Sequence, residues 1–296
     1  MTLGVKQLHP LFVGEVGGVD LRRPLDPETV RGIVGAIDRY AVCVFRGHDL
    51  TDEEQIRFSQ NFGELERSPN YGRTKGQEPR LRHGELFDVS NLNEKGEIYD
   101  RDDDRRMFRL GNQLWHTDSS FLQIRGRYSL LHARIVPSEG ADTQFADERA
   151  AYDALPGWLR QKIEGLEAEH FFAHVRHQLG FNAYTEAQLQ ARPPAHHAIA
   201  QIHPGSGRKH LYLAAHASHI VGLPIPDGRV LLAQLIEFAT QREFVYSHSW
   251  RAGDLVMWDN RCTMHRATPF DEGKHVRDLR RTTVSDGVFD ASGVAA

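Results

Sequence analysis

Apolar residues recur at helical spacing near the N-terminus of the chain. Asp26 is a capping residue, Pro27 stands at a first helical position, and an apolar set follows from Val30 to Ile37. Proline is well tolerated at the first turn because the backbone N–H that it lacks has no partner there. This pattern predicts an amphipathic helix that ends near Tyr40.

Shorter patterns follow along the rest of the chain. The apolar, β-branched run at 41–45 predicts a buried strand, and Thr51 with Glu54 three positions later is a capping-box pattern that predicts a second helix. Further strands are predicted at 129–136, 199–203, 210–213, 254–258 and 279–284, and further helices at 150–168 and 228–240.

Strands dominate the later parts of this pattern, and helices are concentrated in the N-terminal region and in two inserts. An antiparallel double sheet with helices packed outside fits this order. We therefore predict an α+β fold whose core is a double-stranded β-helix (a jelly roll, cupin-like) with flanking helices. Such a fold holds a small-molecule site between its sheets.

The length of 296 residues allows one large domain or two smaller ones. We predict a single domain over 1–296. Its least regular part, at about 68–110, is rich in glycine, proline and charge. Long polar segments of this kind are either functional lids or plain surface loops. We favour a lid because the segment leads into the histidine-rich stretch discussed next.

Charge and composition limit the possible partners. The formal net charge is −4 and is spread along the chain, so we expect neither nucleic acid nor an anionic membrane as a partner. No apolar run approaches the ~18 residues of a membrane span, and the N-terminus lacks the apolar stretch of a signal peptide. The two cysteines predict free thiols. We expect a cytoplasmic protein with a small-molecule partner.

Two histidines and one aspartate are the candidate metal ligands. His116 and Asp118 are two positions apart, so on a strand they would point to the same face, and His265 could supply a third ligand. Three such ligands leave about half of an octahedral shell open, which suits iron(II) that also holds a co-substrate and dioxygen. By itself a His-x-Asp pair is weak support, because most single histidines are core or surface residues.

The surrounding residues resemble the taurine/2-oxoglutarate dioxygenase family, and within it the 2,4-dichlorophenoxyacetate (aryloxyacetate) dioxygenases. The resemblance extends over nearly the whole chain. It is carried by LHPLF at 8–12, VFRG at 44–47, NQLWHTDSSF at 112–121, RAAYDALP at 149–156, GSGRK at 205–209, AAHASH at 214–219 and GDLVMWDNRC at 253–262. The resemblance implies that His116, Asp118 and His265 bind Fe(II) and carry the catalytic chemistry.

The same resemblance assigns the co-substrate contacts. It implies that Thr143 and Arg277 hold the distal carboxylate of 2-oxoglutarate and that Asn112 contacts co-substrate or substrate. A buried carboxylate needs charge-assisted partners, and guanidinium supplies them in bidentate form. As plain structural residues, Thr143 could be part of a strand or turn, and Arg277 could be a surface charge.

A second arginine is the candidate substrate contact. Arg281 follows Arg277 by four positions, so on a continuous strand both side chains reach one face, while Arg280 points to the other. By resemblance, Arg281 binds the substrate carboxylate. His216, within the family-like run at 214–219, is a further candidate for substrate binding.

Together these residues imply an Fe(II)- and 2-oxoglutarate-dependent dioxygenase with O2 as the other co-substrate. It would hydroxylate the carbon next to the carboxylate of an aryloxyacetate such as 2,4-dichlorophenoxyacetate, releasing a phenol and glyoxylate with succinate and CO2. One alternative is the same chemistry on a sulfonate or alkyl sulfate. Another is a jelly-roll protein that binds a metal or acid without turnover. Family members often associate, so a homo-oligomer is possible.

Overall fold

A large sheet, three small sheets and eight helices form the part of the chain that the computed structural model describes, residues 3–67, 79–100, 103–180 and 184–287. The strands are β1 Gly4–Gln7, β2 Gly14–Gly17, β3 Val42–Phe45, β4 Phe87–Ser90, β5 Gly126–Ile135, β6 Thr143–Asp147, β7 Glu167–His170, β8 Ala195–Ala198, β9 Ala200–Ile202, β10 Lys209–Leu211, β11 Ala217–Ile220, β12 Val245–His248, β13 Leu255–Asp259, β14 Thr263–Ala267 and β15 Asp278–Ser285. The helices are α1 Pro27–Tyr40, α2 Asp52–Gln60, α3 Asp104–Leu110, α4 Glu148–Ala154, α5 Gly157–Ile163, α6 Phe172–Gln178, α7 Glu186–Gln190 and α8 Ile225–Ala239.

The large sheet has the strand order β1-β2-β3-β13-β5-β15-β4, and its two faces pack against different layers. Outward side chains such as Phe45 and Met257 pack with α1 and α2. Inward side chains such as Val256 and Trp258 pack with Phe145 of β6, in the small sheet β12-β6-β14. A second core lies between α4, α5 and α8 and the strands β9 to β11. The predicted mixture of a double sheet and flanking helices is confirmed.

The predicted capping residues are confirmed at both N-terminal helices. Asp26 accepts a hydrogen bond from the backbone N–H of Thr29 at 2.9 Å at the start of α1. The hydroxyl of Thr51 accepts from Glu54 N at 3.2 Å, and the Glu54 carboxylate accepts from Thr51 N at 2.8 Å. Local sequence therefore determines where these two helices begin.

The single helix predicted at 150–168 is wrong. The chain forms α4, breaks at Leu155 and Pro156, continues as α5 and then enters β7. Proline disfavours a helical conformation in the residue before it, which explains the break. The strand β7 pairs with β8 and β11, so long-range pairing decides the conformation of its residues.

The described part of the segment at 68–110, residues 79–100 and 103–110, contains regular secondary structure. It contains β4, which pairs with β15 at the edge of the large sheet, and the helix α3. The guanidinium of Arg80 joins Asp88 of β4 at 2.7 Å and Asp278 of β15 at 2.7 Å. Residues 68–78 and 101–102 lie outside the described residues. The role of the segment as a lid stays a prediction.

Candidate active site

Two distant segments join at the candidate metal ligands. The backbones of His116 and His265 form an antiparallel bridge, with N–H···O distances of 3.0 and 2.8 Å. His265 belongs to β14, but the strand predicted through His116 and Asp118 is wrong, because His116 forms an isolated bridge and Asp118 lies in the following turn. Ser119 takes a left-handed conformation with φ of 56° and turns the chain immediately after Asp118.

The three side chains nevertheless converge, and we call His116, Asp118 and His265 the open cluster. All three are buried, and their ligand atoms lie within 4.8 Å of one another. Nε2 of His116 is 3.9 Å from Oδ1 of Asp118, and Nε2 of His265 is 3.6 Å from Oδ2. Nδ1 of His116 donates to the Leu114 carbonyl at 2.8 Å, so Nε2 keeps its lone pair.

Burial and charge set the protonation states of the open cluster. Burial lowers the pKa of His116, and it lowers the pKa of His265 well below its usual value. Burial alone would raise the pKa of Asp118, but the charge of Arg281, together with the hydrogen bond from Ser129, outweighs it and holds the pKa below the usual range. Two neutral imidazoles and one carboxylate are a donor set that a divalent transition metal fits.

Arg277 lies just before β15, which begins one residue earlier than the strand predicted at 279–284, and it is buried at 7% exposure. Nη1 donates to the Val89 carbonyl at 3.3 Å, and the backbone N donates to Oδ1 of Asn91 at 2.7 Å. Burial lowers the pKa of the Arg277 guanidinium to about 10. Within the described part of the chain its guanidinium forms no ion pair with a carboxylate. Such a guanidinium is suited to an incoming anion.

Thr143 is the first residue of β6 and is buried. Its hydroxyl accepts a hydrogen bond from Nε1 of Trp250 at 3.0 Å, which leaves the hydroxyl proton free to turn toward another acceptor. Asn112 lies in the short 3-10 turn Gly111–Gln113, four residues before His116, and is half-buried.

Arg281 reaches the open cluster, as the alternation along β15 predicts. Its Nη1 contacts Oδ1 of Asp118, and its guanidinium lies 4.9 Å from the ring centre of Phe87 on β4. Arg280 points to the other face and pairs with Asp52 of α2. The two neighbouring arginines therefore belong to different faces of the sheet.

His216 also lies beside the open cluster. Its ring centre is 6.3 Å from that of His116 and 4.9 Å from that of Phe121. Burial lowers the pKa of His216 to about 3, so the imidazole is neutral near pH 7. Nδ1 of His216 is buried and has no hydrogen-bond partner among the described residues.

Three further residues near Asp118 were not predicted. Ser129 of β5 donates to Oδ2 of Asp118 at 2.7 Å, and Nδ2 of Asn260 donates to the Ser129 hydroxyl at 2.9 Å. Glu66 accepts from the Ser119 hydroxyl at 2.7 Å, and burial raises the pKa of Glu66 to about 7. Asn260 stands in the family-like run at 253–262, but Ser129 and Glu66 have no local sequence signal.

A second group of possible metal ligands consists of His203, Asp259 and Cys262, and we call it the closed cluster. The imidazole and the carboxylate of this group already have hydrogen-bond partners within the protein. Nδ1 of His203 accepts from the backbone N–H of Ser206 at 3.0 Å, so Nε2 carries the proton and donates to Asp259 at 2.9 Å. Arg261 binds both oxygens of Asp259. Burial raises the pKa of the Cys262 thiol well above its usual value. This arrangement favours a structural role.

Residues 4–283 match the family described as taurine catabolism dioxygenase TauD, TfdA family. The chain belongs to this family. The TauD/TfdA match covers all the candidate site residues and confirms the predicted resemblance and the jelly-roll core with flanking helices.

Three relatives illustrate the similarity. The chain is 48% identical to the alpha-ketoglutarate-dependent 2,4-dichlorophenoxyacetate dioxygenase of Cupriavidus pinatubonensis, over 97% of this chain and 99% of that protein. It is 30% identical to an alkylsulfatase of Acinetobacter baylyi, over 97% and 86% of the two chains. The crystal structure of AAD-2 in complex with Mn(II) and N-oxalylglycine superposes with a TM-score of 0.88 at 45% identity, covering 97% and 98%.

Proposed function

We propose that this TauD/TfdA-family protein is an Fe(II)- and 2-oxoglutarate-dependent dioxygenase that hydroxylates the carbon next to the carboxylate of an aryloxyacetate. The hydroxylated product is a hemiacetal that breaks down to a phenol and glyoxylate. The observation that carries the proposal is the open cluster, a convergent set of three buried metal-type donors with a guanidinium in contact with its aspartate. The 48% identity to a 2,4-dichlorophenoxyacetate dioxygenase supports the substrate class.

His116, Asp118 and His265 would hold the iron. Their neutral imidazoles and ionised carboxylate suit Fe(II), and three protein ligands leave coordination positions for small molecules. When bound, iron supplies the activation of dioxygen that is coupled to the oxidative decarboxylation of 2-oxoglutarate to succinate and CO2. The protein's own part is to bind, orient and exclude water.

Arg277 and Thr143 would hold the distal carboxylate of 2-oxoglutarate. Arg277 has the character that this role needs, because its guanidinium is buried, charged near neutral pH and not paired with a carboxylate in the described structure. The hydroxyl of Thr143 can add a hydrogen bond while its oxygen accepts from Trp250. Asn112, close in sequence to His116, is proposed to contact the co-substrate as well.

Arg281 would bind the substrate carboxylate and direct the neighbouring carbon toward the metal. Its side chain is 17% exposed and stands between Asp118 and Phe87, so it is accessible and close to the open cluster. The neutral, buried His216 would line the same pocket beside Phe121. A substrate carboxylate would replace Asp118 as the charge partner of Arg281.

A sulfonate or alkyl sulfate is the second candidate substrate class. A guanidinium donates hydrogen bonds to sulfate or sulfonate oxygens as readily as to a carboxylate, and a 30% identical relative is an alkylsulfatase. A direct comparison of carboxylate and sulfur-acid substrates separates the two classes.

The test is succinate formation from 2-oxoglutarate by the full-length protein with Fe(II), ascorbate and air. Phenoxyacetate, 2,4-dichlorophenoxyacetate, taurine and an alkyl sulfate are compared side by side. We expect substrate-dependent succinate with the two phenoxyacetates, and phenol should appear in equal amount. Turnover only with the sulfur acids would replace the proposed substrate class. Binding of metal and 2-oxoglutarate without turnover of any of them would favour a non-catalytic binding protein.

Cellular location and assembly complete the proposal. We propose a cytoplasmic enzyme, which the two unpaired buried thiols of Cys43 and Cys262 support. No helix among the described residues has the length and apolar character needed to cross a bilayer. A single domain over 1–296 and a homo-oligomeric state also stay predictions.

A further inference from the structure

The two oxygens of Asp118 have different partners. Oδ1 contacts Arg281, and Oδ2 accepts the hydrogen bond from Ser129 at 2.7 Å. Ser129 is fully buried in the middle of β5, where it pairs with Trp258 of β13 on one side and Thr283 of β15 on the other. A central strand of the large sheet therefore carries the hydroxyl that meets Asp118.

Asn260 determines the direction of this hydroxyl. Its Oδ1 accepts from Nε1 of Trp258 at 2.9 Å and from the backbone N of Asp118 at 3.3 Å, so the amide group is fixed with Nδ2 toward Ser129. The Ser129 oxygen accepts from Nδ2 at 2.9 Å. Its single proton is then directed to Asp118.

Burial makes this chain of hydrogen bonds strong. Ser129 and Asn260 have no exposed surface, and Asp118 is 5% exposed, so water does not compete for these atoms. A hydrogen bond to a charged carboxylate in such surroundings is stronger than one between neutral groups. The carboxylate of Asp118 cannot rotate without losing it.

We propose that Ser129, directed by Asn260, is a positioning residue that holds the carboxylate of Asp118 in the orientation needed for metal binding. The inference rests on the proposed role of Asp118 as a metal ligand. Partners of this outer kind typically change metal affinity by about 10- to 100-fold when they are removed. Neither residue touches a reacting atom.

The test is the affinity for Mn(II), measured by electron paramagnetic resonance of the free ion with the full-length protein. We expect Ser129→Ala to bind Mn(II) about 10- to 100-fold more weakly than the parent. Ser59→Ala is the matched control, because Ser59 is also fully buried and hydrogen-bonded to a β15 residue, Thr282, at 2.6 Å, but on the other face of the sheet. The control should retain the parent affinity.

Asn260→Asp provides a second, independent variant with the same shape. An aspartate cannot donate to Ser129 and offers the hydroxyl a competing acceptor, so we expect weaker Mn(II) binding. Charge alone would predict tighter binding, since the variant adds a negative group near the cation. Tighter binding, or a Ser129→Ala affinity equal to that of Ser59→Ala, would overturn the inference. Failure of the parent protein to bind Mn(II) would instead contradict the proposed metal site itself.

Discussion

The open cluster and the closed cluster have similar compositions and opposite surroundings. Each combines buried histidine and aspartate, and in each the possible ligand atoms lie within 4.8 Å of one another. In the open cluster, Nε2 of His116 keeps its lone pair because Nδ1 donates to a carbonyl. In the closed cluster, Nε2 of His203 donates a hydrogen bond to Oδ2 of Asp259, and Arg261 donates hydrogen bonds to both oxygens of the same carboxylate.

The difference teaches that ligand-type residues in proximity are not enough for a metal site. Two further properties decide whether such a group can bind a metal: which imidazole nitrogen is protonated, and whether the carboxylate already has a cationic partner. Asp118 also has a guanidinium partner, but Arg281 is partly exposed and contacts one oxygen only. Arg261 is nearly buried and is bound to both oxygens of Asp259.

The largest expected effect is loss of the metal from the open cluster. Asp118→Ala removes the only anionic donor of the three and leaves Arg281 as an uncompensated positive charge, so we expect Mn(II) affinity to fall by more than about 1000-fold, beyond the range for outer partners. Equilibrium dialysis with metal analysis measures this. Stoichiometric binding by the folded variant would refute the assignment.

The corresponding change in the closed cluster should affect stability instead. Asp259→Asn removes the carboxylate that binds Arg261 in bidentate form and leaves this buried guanidinium only the longer contact with Asp38 at 3.9 Å, so we expect the free energy of unfolding to fall by about 3–5 kcal/mol. Urea denaturation gives this value. The folded fraction should still bind one Mn(II) per chain with the parent affinity. A loss of bound metal without a loss of stability would reverse the roles of the two clusters.

A smaller effect is expected at the arginine that links the open cluster to the substrate. Arg281→Ala should raise the KM for phenoxyacetate by about 10- to 150-fold, equivalent to roughly 1.5–3 kcal/mol for a charge-assisted hydrogen bond. The KM for 2-oxoglutarate should change much less. Arg280→Ala is the control, since that side chain pairs with Asp52 on the opposite face. Equal KM values for the two variants would remove Arg281 from the substrate site.

The sequence predicts best those features that depend on neighbours along the chain. The capping residues Asp26 and Thr51 form the expected hydrogen bonds, and the strands predicted at 199–203 and 210–213 form as β9 and β10, which pair with each other. The open cluster was predictable because His116 and Asp118 stand in the family-like run at 112–121, and His265 follows the run at 253–262 by three residues. The strand geometry expected at His116 and Asp118 was not correct, since the chain turns at Asp118 and Ser119, whereas His265 does lie in a strand, β14.

Features that depend on distant pairing could not be predicted in this way. Ser129 meets Asp118 only because β5 lies between β13 and β15, and an isolated serine in an apolar strand gives no local indication of that contact. The strand β4 has only four residues, which alternate between apolar and polar, and it pairs with β15 and contacts Arg80. Such contacts form between residues far apart in sequence, and local patterns do not encode them.

The smallest expected effect concerns His210, which packs against the closed cluster. Its ring centre is 6.1 Å from that of His203, and Nδ1 bonds to the Leu211 carbonyl at 2.7 Å. Burial is the main cause that lowers the pKa of His210 to about 4; the Leu211 carbonyl opposes this shift, and the charge of Arg125 adds to it. The folded protein therefore holds this imidazole neutral over a range in which an unfolded chain would protonate it.

The sign of the resulting pH dependence follows from this order of pKa values. Because the folded pKa lies below the unfolded value of about 6.5, the unfolded chain binds the proton more readily, and stability is lost as the pH falls from about 6.5 toward 4. At pH 5 the loss of folding stability from this one group is about 2 kcal/mol.

Urea denaturation of the parent and of His210→Gln at pH 7 and pH 5 isolates the contribution of His210 to stability, because the other buried histidines are common to both proteins. The variant should start less stable at pH 7 and lose less on acidification. Equal losses would mean that His210 has the same protonation state in the folded and unfolded chains at both pH values.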